Sequence, residues 1–124
     1  MSARLKRSNK PVFWSLFGAG GMLSALIGPA LIFITGIAVP LGLLLPTETM
    51  SYERTLAFAG HPLGKLAVLV VIALFLFHGL HRMYHALHDF GVHVGPGLKA
   101  AFHGTAIAGT LLTVYLLLRL APPP

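Results

Sequence analysis

Residues 66–89, LAVLVVIALFLFHGLHRMYHALHD, decide the fold of this chain. The first twelve are all apolar, and the last twelve contain four histidines, one arginine and one aspartate. About 20 apolar residues, at roughly 1.5 Å per residue in a helix, cross the hydrocarbon of a bilayer. The stretch therefore predicts a membrane-spanning helix that carries a polar face out of one side of the membrane.

Two further stretches, residues 11–47 and 100–118, contain no Asp, Glu, Lys or Arg, and only 10% of the chain is charged. We therefore predict an all-α membrane protein with three transmembrane helices, over about 12–40, 63–90 and 98–120. They form a single domain (11–124) after a basic tail (1–10). The first span is too long for one straight crossing and too short for two, so we expect a tilted helix kinked near Pro29. The glycine–proline turn at residues 95–97 should separate the second span from the third.

The distribution of lysine and arginine predicts the orientation. Positive residues concentrate in the N-terminal tail and the second connection, which should be cytoplasmic: Arg4, Lys6, Arg7, Lys10, Arg82 and Lys99. The first connection and the C-terminus should be external. The first apolar run is too long for a signal peptide, so an uncleaved span is expected. The net charge of +6 lies at the ends of spans rather than in a stripe, which argues against a nucleic-acid partner.

On a helix, His78, His81, Arg82, His85 and Asp89 share about a third of the circumference. Ordinary interfacial residues could explain Arg82 and Asp89, since helices often leave the membrane in this way. His78 and His81, however, should still lie in or near hydrocarbon. Ionisable groups at that depth usually face a partner, a cofactor or a cavity.

Three chemistries use histidines on one helix face. Metal binding is possible, although one helix rarely encloses a metal by itself. Axial haem ligation would need His78 and a facing histidine, for which His103 is the candidate in this chain. Quinol oxidation needs hydrogen-bonding groups, a cation to stabilise developing negative charge, and apolar walls reachable from lipid. The absence of cysteine excludes thiolate metal sites and cysteine-held iron–sulfur clusters.

The first span offers such walls, because Trp14, Phe17 and Gly18 are spaced i, i+3, i+4 at the depth expected for Arg82. A tryptophan there could also be a headgroup anchor, and the glycines 18, 20 and 21 could serve close helix contact.

Five segments resemble one known family: PVFWSLFGAGGM (11–22), PLG (40–42), SYER (51–54), LAFA (56–59) and GLHRMYHALHD (79–89). Their order and the three-span plan are similar to the D-type anchor subunit of quinol:fumarate reductase. That subunit is the smaller of two hydrophobic anchors in a bacterial four-subunit respiratory complex. The resemblance extends from residue 11 to about residue 97, whereas the third span shares little of it.

The resemblance implies a non-catalytic anchor in the bacterial inner membrane, with a C-type anchor, an iron–sulfur subunit and a flavoprotein as partners. It implies that menaquinol is oxidised at an interface shared with other subunits, during anaerobic fumarate respiration. No flavin or iron–sulfur cluster is expected in this chain, and haem is not expected. The quinone-binding residues that it implies are Trp14, Phe17, Gly18, His81, Arg82 and His85. It assigns no role to His78 or His103.

Two other hypotheses remain open at this point. The chain could anchor a succinate:quinone oxidoreductase, with or without haem. It could also be a small histidine-bearing subunit of a metal transporter, which would be stabilised by metal and would need no iron–sulfur partner.

Overall fold

The computed structural model describes residues 10–121, and nearly all of them are helical. Helix α1 covers Lys10–Phe33 and continues as a π-helical segment, Ile34–Ala38. A 3-10 turn (Thr47–Met50) and helix α2 (Tyr52–Gly60) follow. Helices α3 (Pro62–Asp89) and α4 (Pro96–Arg119) complete the chain. The predicted basic tail, apart from Lys10, lies outside the described residues.

Within the described part of the chain, three helical segments are long and apolar enough to cross a membrane: Lys10–Ala38, Pro62–Asp89 and Pro96–Arg119. The predicted all-α class and the count of three spans are therefore confirmed. Lys10, which we assigned to the tail, is instead the first residue of α1. Pro96 and Gly97 likewise belong to α4 rather than to the preceding turn, because proline is well suited to the first turn of a helix.

The first span changes its hydrogen-bonding pattern beyond Pro29, the residue at which a kink is predicted. The helix continues through Pro29 to Phe33, and the hydrogen-bonding pattern widens only in the π-helical segment. There the Val39 N–H donates to the Ile34 carbonyl (3.0 Å), five residues back. The chain then turns away through Gly42 and Leu44, both with positive φ. The irregular backbone is thus concentrated at the end of the span.

Sequence analysis missed helix α2, which lies in the first connection. Ser51 caps it, since its hydroxyl oxygen accepts a hydrogen bond from the Arg54 N–H (3.4 Å), and Glu53 lies in the first turn. Both features favour a helix start. His61 then separates α2 from α3, and its Nδ1 accepts from the Leu63 N–H (3.2 Å). The signals were present, but the segment is only nine residues long.

Helix α3 is the central helix, and both α1 and α4 pack along it. Its 28 residues span about 42 Å, roughly 12 Å more than the hydrocarbon. At one end of the bundle the Lys65 ammonium donates to the Leu120 carbonyl (2.7 Å), which ties the start of α3 to the end of α4. The histidines of α3 lie toward the other end.

Five serine and threonine hydroxyl groups within the spans are satisfied by their own helices. Each donates to the carbonyl four residues earlier, at 2.7 or 2.8 Å: Ser15, Thr35, Thr105, Thr110 and Thr113. In hydrocarbon an unpaired hydroxyl would be costly, so this local bonding lets the residues face lipid or a neighbouring helix.

Helix α1 approaches α3 closely at Gly20, which is buried. A Cβ atom placed there would lie 2.7 Å from the Leu74 carbonyl oxygen and 2.9 Å from the Cβ of His78. Small residues at such points allow two helix backbones to approach closely in a membrane. Gly28, on the same helix, has only ordinary contact, 3.9 Å from a ring carbon of Phe75.

We expect Gly20→Ala to weaken the packing of α1 on α3, because the obstructing atoms are backbone and Cβ atoms that cannot rotate away. The expected loss in the free energy of unfolding is roughly 1–3 kcal/mol, the usual cost of overpacking. It can be measured from the loss of helical signal as the chain in detergent micelles is titrated with SDS. Gly28→Ala makes the same chemical change without the clash, so equal stability of the two variants would contradict this account.

Candidate functional site

The start of α1, the end of α3 and the start of α4 meet at one end of the bundle, because consecutive spans run antiparallel. The contact at Gly20 brings the first two turns of α1 against the histidine-bearing part of α3. The result is a cluster of rings contributed by all three helices.

His78 is the innermost member of this cluster and joins α3 to α1. Its Nδ1 lies 3.2 Å from the Phe17 carbonyl oxygen, and its ring stacks on the Phe17 ring (centroids 4.7 Å, planes 21° apart). A carbonyl can only accept, so His78 Nδ1 carries the proton. A Cβ on Gly21 would lie 2.8 Å from the Cε1 atom of this imidazole. His78 therefore has a structural contact that explains its position so deep in the bundle.

Phe17 also contacts His81, which lies one turn further along α3 (ring centroids 4.6 Å). Beside them is an open pocket of about 350 Å³. Its walls are mainly aromatic and its polar groups are cationic or imidazole side chains: Lys10, Phe13, Trp14, Leu16, Phe17, Phe77, His81, Lys99 and His103. We call this the aromatic pocket. Trp14 is 74% exposed in the isolated chain, so the pocket opens to the surroundings along α1.

Arg82 and His85 face a second, shallower cavity of about 270 Å³, together with Met83, Ala86 and Asp89. Both are exposed in this chain. One lining residue of each cavity meets the other here, because the His81 and His85 rings make an edge-on contact with centroids 4.4 Å apart. We call this second cavity the arginine cavity.

The structure thus divides the six predicted site residues. Trp14, Phe17 and His81 line the aromatic pocket, whereas Arg82 and His85 line the arginine cavity. Gly18 lines neither of these two cavities, and a Cβ there would have no neighbour within 4 Å among the described residues. The sequence predicts that Trp14 and Phe17 lie at the same membrane depth as the polar face of α3. The contact between Phe17 and His81 agrees with this prediction.

Helix α4 contributes two pocket residues that sequence analysis did not assign, Lys99 and His103. The ring of His103 lies 5.9 Å from that of His81 and 6.2 Å from that of Tyr84. The sequence feature that could have indicated these two pocket residues is their spacing, four residues apart at the start of an apolar span. That spacing places them on one helix face, but it does not show which helix they meet.

No group of three or more His, Asp or Glu side chains among residues 10–121 is arranged to hold a metal ion. The histidines of the cluster instead contact one another and aromatic rings. The arrangement suits a flat, apolar ligand that exchanges protons with imidazole.

Comparisons with known proteins point the same way. A family model described as the D subunit of fumarate reductase matches residues 4–118. The chain is 42% identical over 112 residues to a Vibrio cholerae protein that is named as this same subunit, covering 90% of this chain and 85% of the relative. A protein of the same name from Actinobacillus succinogenes is 44% identical over 110 residues, covering 89% and 90%. A third, from Aliivibrio salmonicida, is 41% identical over 109 residues, covering 88% and 90%.

The hydrogen bond of His78 can be tested separately from its ring contact. We expect His78→Phe to keep a ring against Phe17 but to lose the Nδ1–H donor, lowering the free energy of unfolding by about 1 kcal/mol, a typical value for a hydrogen bond between membrane helices. His88→Phe changes an exposed histidine on the same helix and should have little effect. Thermal unfolding of the detergent-solubilised protein measures both, and an unchanged midpoint for His78→Phe would show that the bond contributes nothing.

Proposed function

This chain belongs to the D-subunit family of fumarate reductase, a membrane-anchor subunit of the fumarate reductase complex, and we propose that it forms one side of that complex's quinol-oxidising site. The observation that carries the proposal is the aromatic pocket, in which Trp14, Phe17 and His81 come together at one end of a three-span bundle. In this proposal the chain is a non-catalytic subunit: fumarate is reduced elsewhere in the complex, and this chain binds the quinol and helps to remove its protons.

The aromatic pocket fits the head group of a lipid-soluble quinol, with menaquinol as the expected substrate. Trp14 and Phe17 would form flat apolar walls, and His81 would hydrogen-bond a hydroxyl group of the quinol. The exposure of Trp14 allows entry from the bilayer. The ring contact between His81 and His85 offers a proton a path from the aromatic pocket toward the arginine cavity.

Arg82 would stabilise the negative charge that develops on the quinol oxygen as its proton leaves. A fixed cation is most effective where water is excluded, because the local dielectric constant is then low. Arg82 and His85 are exposed in the isolated chain, so other subunits would have to cover the arginine cavity. We propose that the iron–sulfur subunit covers it and accepts the electrons, and that a C-type anchor packs against the membrane helices.

The surface of the three spans supports the role of an anchor that needs such a partner. Large apolar side chains such as Leu26, Ile32 and Leu118 are 70% or more exposed. Among residues 10–121 the buried hydrophobic core is limited to Ala38, Val39, Ala106 and Leu117. Lipid tails and the second anchor subunit would cover the remaining apolar surface.

Charge supports an orientation with the histidine cluster at the cytoplasmic face of the inner membrane. That end carries Arg82 and Lys99, and it is where the chain enters from its basic N-terminal tail. The opposite end carries Arg54, Lys65 and Arg119, and Lys65 is engaged by a backbone carbonyl. The positive-inside rule counts the first set as cytoplasmic.

We expect Arg82→Leu to leave the complex inserted and assembled but to lower electron flow from quinol to fumarate by about 10²-fold or more, the scale for losing one preorganised electrostatic donor. His85→Leu and His81→Leu should also lower turnover, whereas Trp14→Leu should mainly raise the KM for quinol. The measurement is fumarate reduction with a soluble menaquinol analogue in purified complex.

Two controls make this test specific. A soluble reductant that delivers electrons directly to the iron–sulfur or flavin subunit should support normal fumarate reduction in every variant, since it bypasses the membrane pocket. Arg119→Leu removes an arginine from the opposite end of the bundle and should keep full quinol-linked activity. Full activity in both Arg82→Leu and His85→Leu would show that these residues only mark the membrane interface.

The orientation has its own test. The two reporter positions lie at opposite ends of α4, so they should lie on opposite sides of the membrane. A reporter fused after Pro124 should be external, and therefore active only if it is of a type that functions outside the cytoplasm. A reporter inserted near Gly95 should be cytoplasmic, and therefore active only if it is of a type that functions inside. Finding both reporters on one side of the membrane would be incompatible with the three-span arrangement.

A further inference from the structure

His103 is the imidazole that α4 contributes to the aromatic pocket, and the proposed function gives it no role. It is half-buried, and its ring lies edge-on to those of His81 and Tyr84 on α3. The titratable or charged groups that line the same pocket are Lys10 on α1, His81 on α3 and Lys99 on its own helix. Tyr84 on α3 also contacts the His103 ring, and His78 and His85 lie one contact further away, against Phe17 and His81.

The backbone of α4 selects which nitrogen of the neutral His103 ring carries the hydrogen. His103 Nδ1 lies 2.8 Å from the Lys99 carbonyl oxygen, one turn earlier. A carbonyl only accepts hydrogen bonds, so Nδ1 must carry a hydrogen. In the neutral ring Nε2 is then the nitrogen with a free lone pair. The hydrogen bond also holds the ring in one orientation, as is usual for histidines that act as bases.

His103 is therefore prepared to accept a proton through Nε2 while it lines the pocket that the quinol would occupy. The Lys99 side chain, which lines the same pocket, adds a positive charge that favours loss of a proton from a bound hydroxyl group. The lining of the aromatic pocket thus contains two neighbouring imidazoles, His81 from α3 and His103 from α4. A quinol releases one proton from each of its two hydroxyl groups.

We propose that His103 is the second proton acceptor of the quinol site, an inference that rests on the proposed function. A bound quinol loses two electrons and two protons to become quinone. The electrons leave to the iron–sulfur subunit, one proton passes to His81, and the other forms a bond with Nε2 of His103 as the quinol O–H bond breaks. The resulting imidazolium passes its proton on to water outside the membrane, which restores the neutral ring for the next turnover.

The test is quinol-linked fumarate reduction by purified complex that carries His103→Ala. We expect kcat to fall roughly 10²-fold near neutral pH, the lower end of the usual contribution of a general base, with little change in KM. Two further results are expected only if the ring takes up a proton. Added imidazole should restore part of the lost rate, and the rate of the variant should rise with pH as hydroxide replaces the missing base. Wild-type complex with added imidazole is the reference.

His93→Ala is the matched control, because His93 lies in the connection between α3 and α4 and lines a different cavity, with His88 and Val92. It should keep wild-type quinol-linked activity. The direct soluble reductant should support normal fumarate reduction in both variants, which shows that the complex is assembled. If His103→Ala does not assemble, His103→Gln replaces it. If neither assembles, His103 is a packing residue and the inference is wrong.

The remaining outcomes separate the inference from the function on which it rests. Full quinol-linked activity of His103→Ala, together with loss of activity in Arg82→Leu, would overturn the role of His103 and leave the quinol site standing. A loss that neither imidazole nor higher pH reverses would show a structural role and would also overturn the inference. Full activity in His103→Ala, His85→Leu and Arg82→Leu together would overturn the proposed site itself.

Discussion

The close approach of α1 and α3 at Gly20 is the contact on which the rest of the bundle depends. With no side chain at that position, the α1 backbone lies against the Leu74 carbonyl and the Cβ of His78. This proximity puts the Phe17 carbonyl within hydrogen-bonding reach of His78 and the Phe17 ring against His81. A larger residue at position 20 would separate the helices, and the aromatic pocket would lose one of its walls. The absence of a side chain at this one position therefore determines how the aromatic pocket is formed.

The same contact shows how a membrane bundle can hold imidazoles at depth. His78 satisfies its Nδ1 with a carbonyl of α1, and His103 satisfies its own with a carbonyl of α4. Each ring is thereby held by a backbone carbonyl. Because a carbonyl does not titrate, this hydrogen bond does not depend on the protonation of a neighbouring side chain. His81 and His85 contact other rings, and His103 keeps the lone pair of Nε2, so these three imidazoles remain available to a ligand. Fixing Nδ1 by a backbone carbonyl thus holds a ring in place without occupying its second nitrogen.

Each sequence pattern predicts only the part of the structure that it depends on. Charge-free length predicts the three spans, and helical periodicity predicts a shared face for His78, His81, Arg82 and His85. Periodicity gives angles within one helix, however, and not the direction in which that helix is turned toward its neighbours. The separation of His81 from Arg82 into two cavities, and the arrival of His103 from α4, depend on packing between helices. Helix α2 escaped prediction because its nine residues are too few for a clear apolar period.

The hydrogen bond from Lys65 to the Leu120 carbonyl has a consequence for biosynthesis. The two residues are 55 positions apart, so the ribosome delivers the lysine long before its acceptor exists. Helix α3 must therefore enter the bilayer while its ammonium group still lacks this acceptor, and water or lipid head groups can solvate it in the meantime. The carbonyl becomes available once α4 has crossed the membrane in the correct register. Formation of this bond accordingly distinguishes a chain in which α4 is in place from every intermediate in which that helix is still absent.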